Sequence, residues 1–136
     1  MRVKFGAIIS AAAATMLLSA GVSAHHGASV VYDLNQTLNM TGIVTDFQFV
    51  NPHVLVFFEV TAEDGSSVVW SAGLTSPNRL ARSDGWSKTT MQPGDQVTIA
   101  GAPARGGAPS LWVGGIVLNG ESLFGTVEGA PAYLAR

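Results

Sequence analysis

The residues best suited to chemistry are three histidines, His25, His26 and His53, in a chain with no cysteine. A histidine at a free N-terminus offers two nitrogen donors in one chelate, its α-amino group and its ring Nδ1. A second imidazole completes a T-shaped set of three nitrogens, the histidine brace, and nitrogen ligands in a flattened geometry suit Cu(II). If His25 is the first residue of the working protein, His53 is the candidate second imidazole, because it follows the Asn51-Pro52 turn at the mouth of a strand. His26 is the alternative ligand, through its ring or through the peptide nitrogen between the two histidines. Ligation needs neutral rings, so copper affinity is expected to fall with pH through the range of free imidazole near ~6.5. Against this stands a plainer reading, in which the histidines are solvated polar groups and His53 and Asn51 only hydrogen-bond their own turn.

Three further residues attach to this candidate site. Asp46, Asn51 and Glu59 are polar neighbours in sequence that can orient the His53 ring from outside the ligand set, or simply face solvent. Other chemistries lack their residues. Without cysteine there are no thiolate metal sites, no thiol redox couple and no covalent haem attachment. No Gly-x-Ser-x-Gly elbow occurs, and the Gly101–Gly107 stretch lacks the Gly-Lys-Ser/Thr ending of a phosphate loop. Asp95 lies in a turn and is read as turn chemistry. Trp70, Trp86 and Trp112 form either a ligand-stacking surface or core and rim packing.

The brace requires a free amine at His25, and the segment before it supplies a means. Arg2 and Lys4 form a positive start, Ala7 to Leu18 an apolar stretch, and Val22-Ser23-Ala24 a small-residue cleavage site. This is the pattern of a secretory signal peptide over residues 1–24, cut between Ala24 and His25. The apolar stretch is shorter than the ~20 residues of a spanning helix, and a lipoprotein anchor needs a cysteine that the chain lacks. A periplasmic or secreted protein is therefore expected, with no membrane span after cleavage. Of 7 basic residues two leave with the signal, so five face 9 acidic ones. That balance offers no basic stripe for phosphate backbones, and nucleic acid is not an expected partner.

The elements that must position His53 follow from periodicity. Met40 to Val50 alternates, with Ile43, Thr45, Phe47 and Phe49 on one side. His53 to Thr61 is a second strand whose Val54, Val56, Phe58 and Val60 form an apolar face. Glu63-Asp64-Gly65-Ser66 is a hairpin turn, and Ser67 to Leu74 is a third strand, with Val68, Trp70, Ala72 and Leu74 in phase. The faces led by Val54 and Val68 are expected to line the core. The period then changes. Ser76 is a fitting N-cap and Pro77 a fitting first helical residue, so residues 76–83 are read as a helix ended by Gly85. Met91 to Asp95 is a turn, Gln96 to Ala100 a fourth strand, Gly101 to Pro109 a loop, and Ser110 to Leu118 a fifth strand closed by the Asn119-Gly120 turn. Three strands, a short helix and two strands is the order of the OB-fold, a five-stranded Greek-key barrel. The expected organisation is a signal peptide (1–24), an N-terminal arm (25–39) with a short ordered piece near Val30–Tyr32, an all-β OB-like barrel (40–123) and a loose tail (124–136).

Several segments occur in an order that resembles a known family: Ala24-His25-His26-Gly27, Thr41-Gly42-Ile43-Val44-Thr45, Val50-Asn51-Pro52-His53-Val54, Ser76-Pro77-Asn78-Arg79-Leu80, Gly85-Trp86, Pro93-Gly94-Asp95-Gln96-Val97-Thr98 and Gly101-Ala102-Pro103-Ala104. Together they resemble DUF6152, a family of exported bacterial proteins of unknown function. The resemblance implies export and a small β domain, and no activity. The Pro-Gly-Asp segment also resembles the fourth-strand entry of exported OB-fold proteins generally.

The expected function is a periplasmic binding or accessory module, with Cu(II) as the candidate cofactor. The alternative is an OB module that binds a protein partner or ligand without metal. A copper-dependent oxidative enzyme is the third reading, since no nucleophile–base set is visible.

Overall fold

Alternating apolar residues fold into strands that pay for their buried backbone by pairing, and here the pairing closes on itself. The computed structural model describes residues 27–128. A one-turn helix α1 (Ala28–Val31) leads into β1 (Leu38–Gln48), followed by β2 (Leu55–Thr61), β3 (Ser67–Gly73), helix α2 (Pro77–Asp84), β4 (Gln96–Pro103), β5 (Ser110–Leu118) and β6 (Glu121–Gly125). The sheet order is β3-β2-β1-β4-β5-β6, all neighbours antiparallel. A parallel contact, Ser71–Gly73 of β3 against Ser110–Trp112 of β5, closes the first five strands into a barrel. That is the strand order expected of an OB-like Greek-key barrel. Among the described residues no helix is long and apolar enough to cross a membrane.

The core is apolar and drawn from every strand of the barrel and from α2. Val54, Val56 and Phe58 of the second strand region meet Ala72, Leu74, Val97, Ile99, Leu111 and Ile116. Helix α2 plugs the barrel with Leu80, which is 1% exposed, and the loop after it adds Trp86 and Met91. Ser76 caps the helix, its Oγ accepting from the Arg79 amide at 3.4 Å, and Gly85 ends it at φ 69°. Only glycine enters that left-handed region at no steric cost.

Four expectations need correction, each for a physical reason. First, β1 does not keep one face. Its register against β2 shifts between Val44 and Asp46, so Thr45 is a bulge. Val44 is 1% exposed while Ile43 is 45% exposed, and Phe47 returns to the core after the bulge. One extra residue inverts a period of two. Secondly, Val68 does not line the core; it and Val69 are both 49% exposed. β3 meets β5 only over Ser71–Gly73, and β1 meets β2 only from Ile43 onward. The end of the β2–β3 hairpin therefore projects past the barrel with no further strand paired to it among the described residues. Thirdly, β4 continues through Gly101 to Pro103 rather than stopping at Ala100. Its register shifts at Ala100/Gly101, where a Cβ would lie 2.6 Å from the Trp112 carbonyl oxygen. Fourthly, Asn119 (φ 49°) and Gly120 (φ 87°) turn the chain into a sixth strand. This strand sits outside the closed five, and its Leu123 and Phe124 pack on the core.

Candidate functional site

His53 sits where the loop after β1 enters β2, beyond a cis Asn51–Pro52 peptide. Its neighbour Val54 is fully buried and exchanges hydrogen bonds with the end of the third strand: Leu74 N–H donates to Val54 O at 2.9 Å and Val54 N–H to Thr75 O at 3.1 Å. These bonds lock the backbone at residue 54 and direct residue 53 outward. The His53 side chain is exposed, yet its ring is oriented. Nδ1 lies 3.1 Å from the Leu74 carbonyl oxygen. A carbonyl can only accept, so Nδ1 carries the proton and the neutral ring keeps its lone pair on Nε2. No other hydrogen bond engages the ring among the described residues. This is the tautomer and the backbone-carbonyl partner that metal-ligating histidines generally have.

Trp112 forms the wall beside His53. The two ring centroids are 5.4 Å apart with planes at 86°, an edge-to-face contact. The indole lies over β3 because Trp112 pairs with Gly73 in the parallel β3–β5 closure, and a Cβ at Gly73 would be in van der Waals contact with it at 3.4 Å. The other tryptophans do not join it. Trp86 is buried between Phe47 and Phe124, with centroids at 6.4 and 5.8 Å, and Trp70 packs on the core. Packing therefore accounts for Trp70 and Trp86, and only Trp112 presents a surface beside a candidate ligand.

The N-terminal arm docks at the same corner. Tyr32 tilts against Trp112 at 5.9 Å, and its hydroxyl pairs with Ser110 Oγ at 3.1 Å. Backbone bonds fix the arm to the loop between β4 and β5: Asp33 N–H to Pro103 O at 2.8 Å and Arg105 N–H to Val31 O at 2.9 Å. The Arg105 side chain reaches Ser29 O at 3.2 Å and Asp33 Oδ1 at 3.5 Å. The arm is held by these polar bonds rather than by burial, since Val30 and Val31 are 61% and 54% exposed. Gly27, at its start, is one helical turn before Tyr32.

His25 and His26 lie outside the described residues, immediately before Gly27. Among the described residues no three His, Asp or Glu side chains gather as a metal site. Asn51 is exposed and makes no side-chain hydrogen bond there. Asp46 accepts from Gln48 Nε2 at 2.8 Å. Glu59 lies between Ile43 and Val69 on the outer face, at the far end of β2 from His53. None of the three hydrogen-bonds His53; the Leu74 carbonyl holds its ring instead. Leu74 O and Tyr32 are the site residues that sequence reasoning missed, and Trp112, one of three tryptophans read as stacking surface or packing, was not linked to His53. A backbone carbonyl has no signature in residue type. The Trp112 contact follows only from the parallel β3–β5 closure, which joins segments far apart in sequence.

A cleft adjoins this corner. It has a volume of about 440 Å³ between α2, β5 and β6, and both Leu74 and Trp112 line it. A shallower one of about 250 Å³ lies on the other side of Trp112, toward Leu34 and Gly101.

No curated protein matches the chain. The model of a family of unknown function, DUF6152, matches residues 12–111, most of the barrel included. The chain therefore belongs to the DUF6152 family.

Proposed function

We propose that the protein is exported, cut between Ala24 and His25, and binds Cu(II) through the His25 amine, the His25 ring and the His53 Nε2, with His26 as the alternative ligand. The observation that carries this reading is the docking of the N-terminal arm on Trp112, the same side chain that packs on the oriented His53 ring. A helix advances the chain only ~1.5 Å per residue, so the one-turn helix separates Gly27 from Tyr32 by about 8 Å. The two preceding residues span at most about 7 Å more. Leu74 O supports the reading further by holding the Nδ1 proton and leaving Nε2 for a metal. Three nitrogen donors favour Cu(II) over Zn(II) by geometry and by the Irving–Williams order. An exported β-barrel with such a site serves as a copper-binding accessory protein.

The test is a Cu(II) titration of the mature protein beginning at His25, followed by electron paramagnetic resonance and by tryptophan fluorescence. One equivalent is expected to bind with nitrogen hyperfine structure and to quench Trp112, which touches the ligand ring. His53→Ala is expected to weaken binding at least about tenfold, since every 1.4 kcal/mol of lost ligation is a factor of ten. Unchanged affinity in His53→Ala contradicts the reading.

A further inference from the structure

The 440 Å³ cleft is separate from the candidate metal ligands, although it shares the Trp112 wall. Its volume falls within the roughly 300–1,000 Å³ of small-molecule sites. The lining is mixed. Trp112 and Phe124 supply aromatic surface and Leu80 an apolar floor, while Arg79, Ser83 and Asp84 bring polar groups from one side of α2. Among the described residues neither Arg79 nor Asp84 forms an ion pair, the one such pair being Arg105–Asp33. Asp84 accepts a hydrogen bond only from its neighbour Ser83. A guanidinium with five donors and a carboxylate that only accepts thus stand exposed at one cleft, with few protein partners among the described residues.

The pair decides the class of ligand. An anion would satisfy Arg79 but meet Asp84, on a chain whose net charge is already −2. A cation would meet the reverse conflict. A purely apolar molecule would gain nothing from either charged group, both of which are exposed to water. A neutral ligand with adjacent hydroxyls donates to the carboxylate and accepts from the guanidinium at once, and its carbon-bound hydrogens pack on aromatic rings. We infer that the cleft between α2 and β5 is a binding site for a neutral saccharide of one or two sugar units, stacked on Trp112 and hydrogen-bonded by Arg79, Ser83 and Asp84.

This inference does not rest on copper binding, and it is tested on metal-free mature protein. Maltose, cellobiose and di-N-acetylchitobiose are titrated separately and followed by amide NMR shifts, with benzoate as the organic-anion comparison. At least one disaccharide is expected to shift Thr75, Ser83 and Val113 to saturation, with a dissociation constant on the order of millimolar. Arg79→Ala and Asp84→Ala change exposed positions of α2 and leave the helix cap intact. Each is expected to weaken that binding about tenfold or more, the usual cost of a lost hydrogen bond to a charged group. Silence of all three sugars, binding that survives both substitutions, or saturation by benzoate alone overturns the inference.

Discussion

At the scale of the residue, local hydrogen bonds set the state of the groups that matter. The Leu74 carbonyl chooses the His53 tautomer. A similar effect operates on a carboxylate in the β2–β3 turn. Ser66 donates to Asp64 Oδ1 from its hydroxyl at 2.6 Å and from its amide at 2.9 Å, and these bonds hold the Asp64 carboxyl below its ordinary 3.8. Bonds to the charged form favour that form. The sign follows: the turn gains stability above the ordinary carboxylate range and loses it as pH falls through the depressed value. A carbon-detected NMR titration should place the Asp64 midpoint below 3.8, and Ser66→Ala should move it back up. An Asp64 midpoint unaffected by Ser66→Ala would contradict the account. Of these residue-level features, Asp64-Gly65 was legible as a turn and His53 as a candidate ligand. The outer partners were not, because Asp46 and Glu59 follow His53's neighbourhood in sequence but not in the barrel. Asp46 is occupied by Gln48, and Glu59 sits at the opposite end of its strand.

At the scale of the element, strong local signals survived and weak ones were overruled by packing. The Ser76 cap, Pro77 and the Gly85 stop define α2 as the spacing predicts, since each satisfies or ends helical hydrogen bonds by itself. Thr45 of β1 and Gly114 of β5, each left unpaired at a register shift, show the converse. A bulge adds one residue to one strand, and only the partner strand reveals it. The helix matters because it seals the barrel. Leu80→Ala should cost about 2–5 kcal/mol, the range for a buried leucine that leaves a cavity. Leu34→Ala, at a position 52% exposed, should stay within about 0.5 kcal/mol. Urea unfolding checks both: the midpoint should fall for Leu80→Ala with an unchanged slope. Equal small effects would mean that α2 does not close the core.

At the scale of the whole molecule, the closure between β3 and β5 creates the corner at which everything converges. It seats Trp112 on Gly73 and sets His53 against the indole. It also offers the loop between β4 and β5 to the arm. The strand order and helix position made the OB-like barrel legible from sequence. The docked arm was not legible, because its polar bonds to Pro103, Ala104 and Arg105 leave no apolar period behind. The described arm ends at Gly27, and the central claim of the proposed function is that a protein beginning at His25 would bring a free amine to His53 and complete a copper chelate. The most direct test is a Cu(II) titration of the protein beginning at His25 against the same protein with one alanine added before His25. The added residue keeps every side chain and buries only the amine in a peptide bond. The account predicts that affinity falls at least about tenfold in the extended form. Equal affinity in the two forms would contradict it.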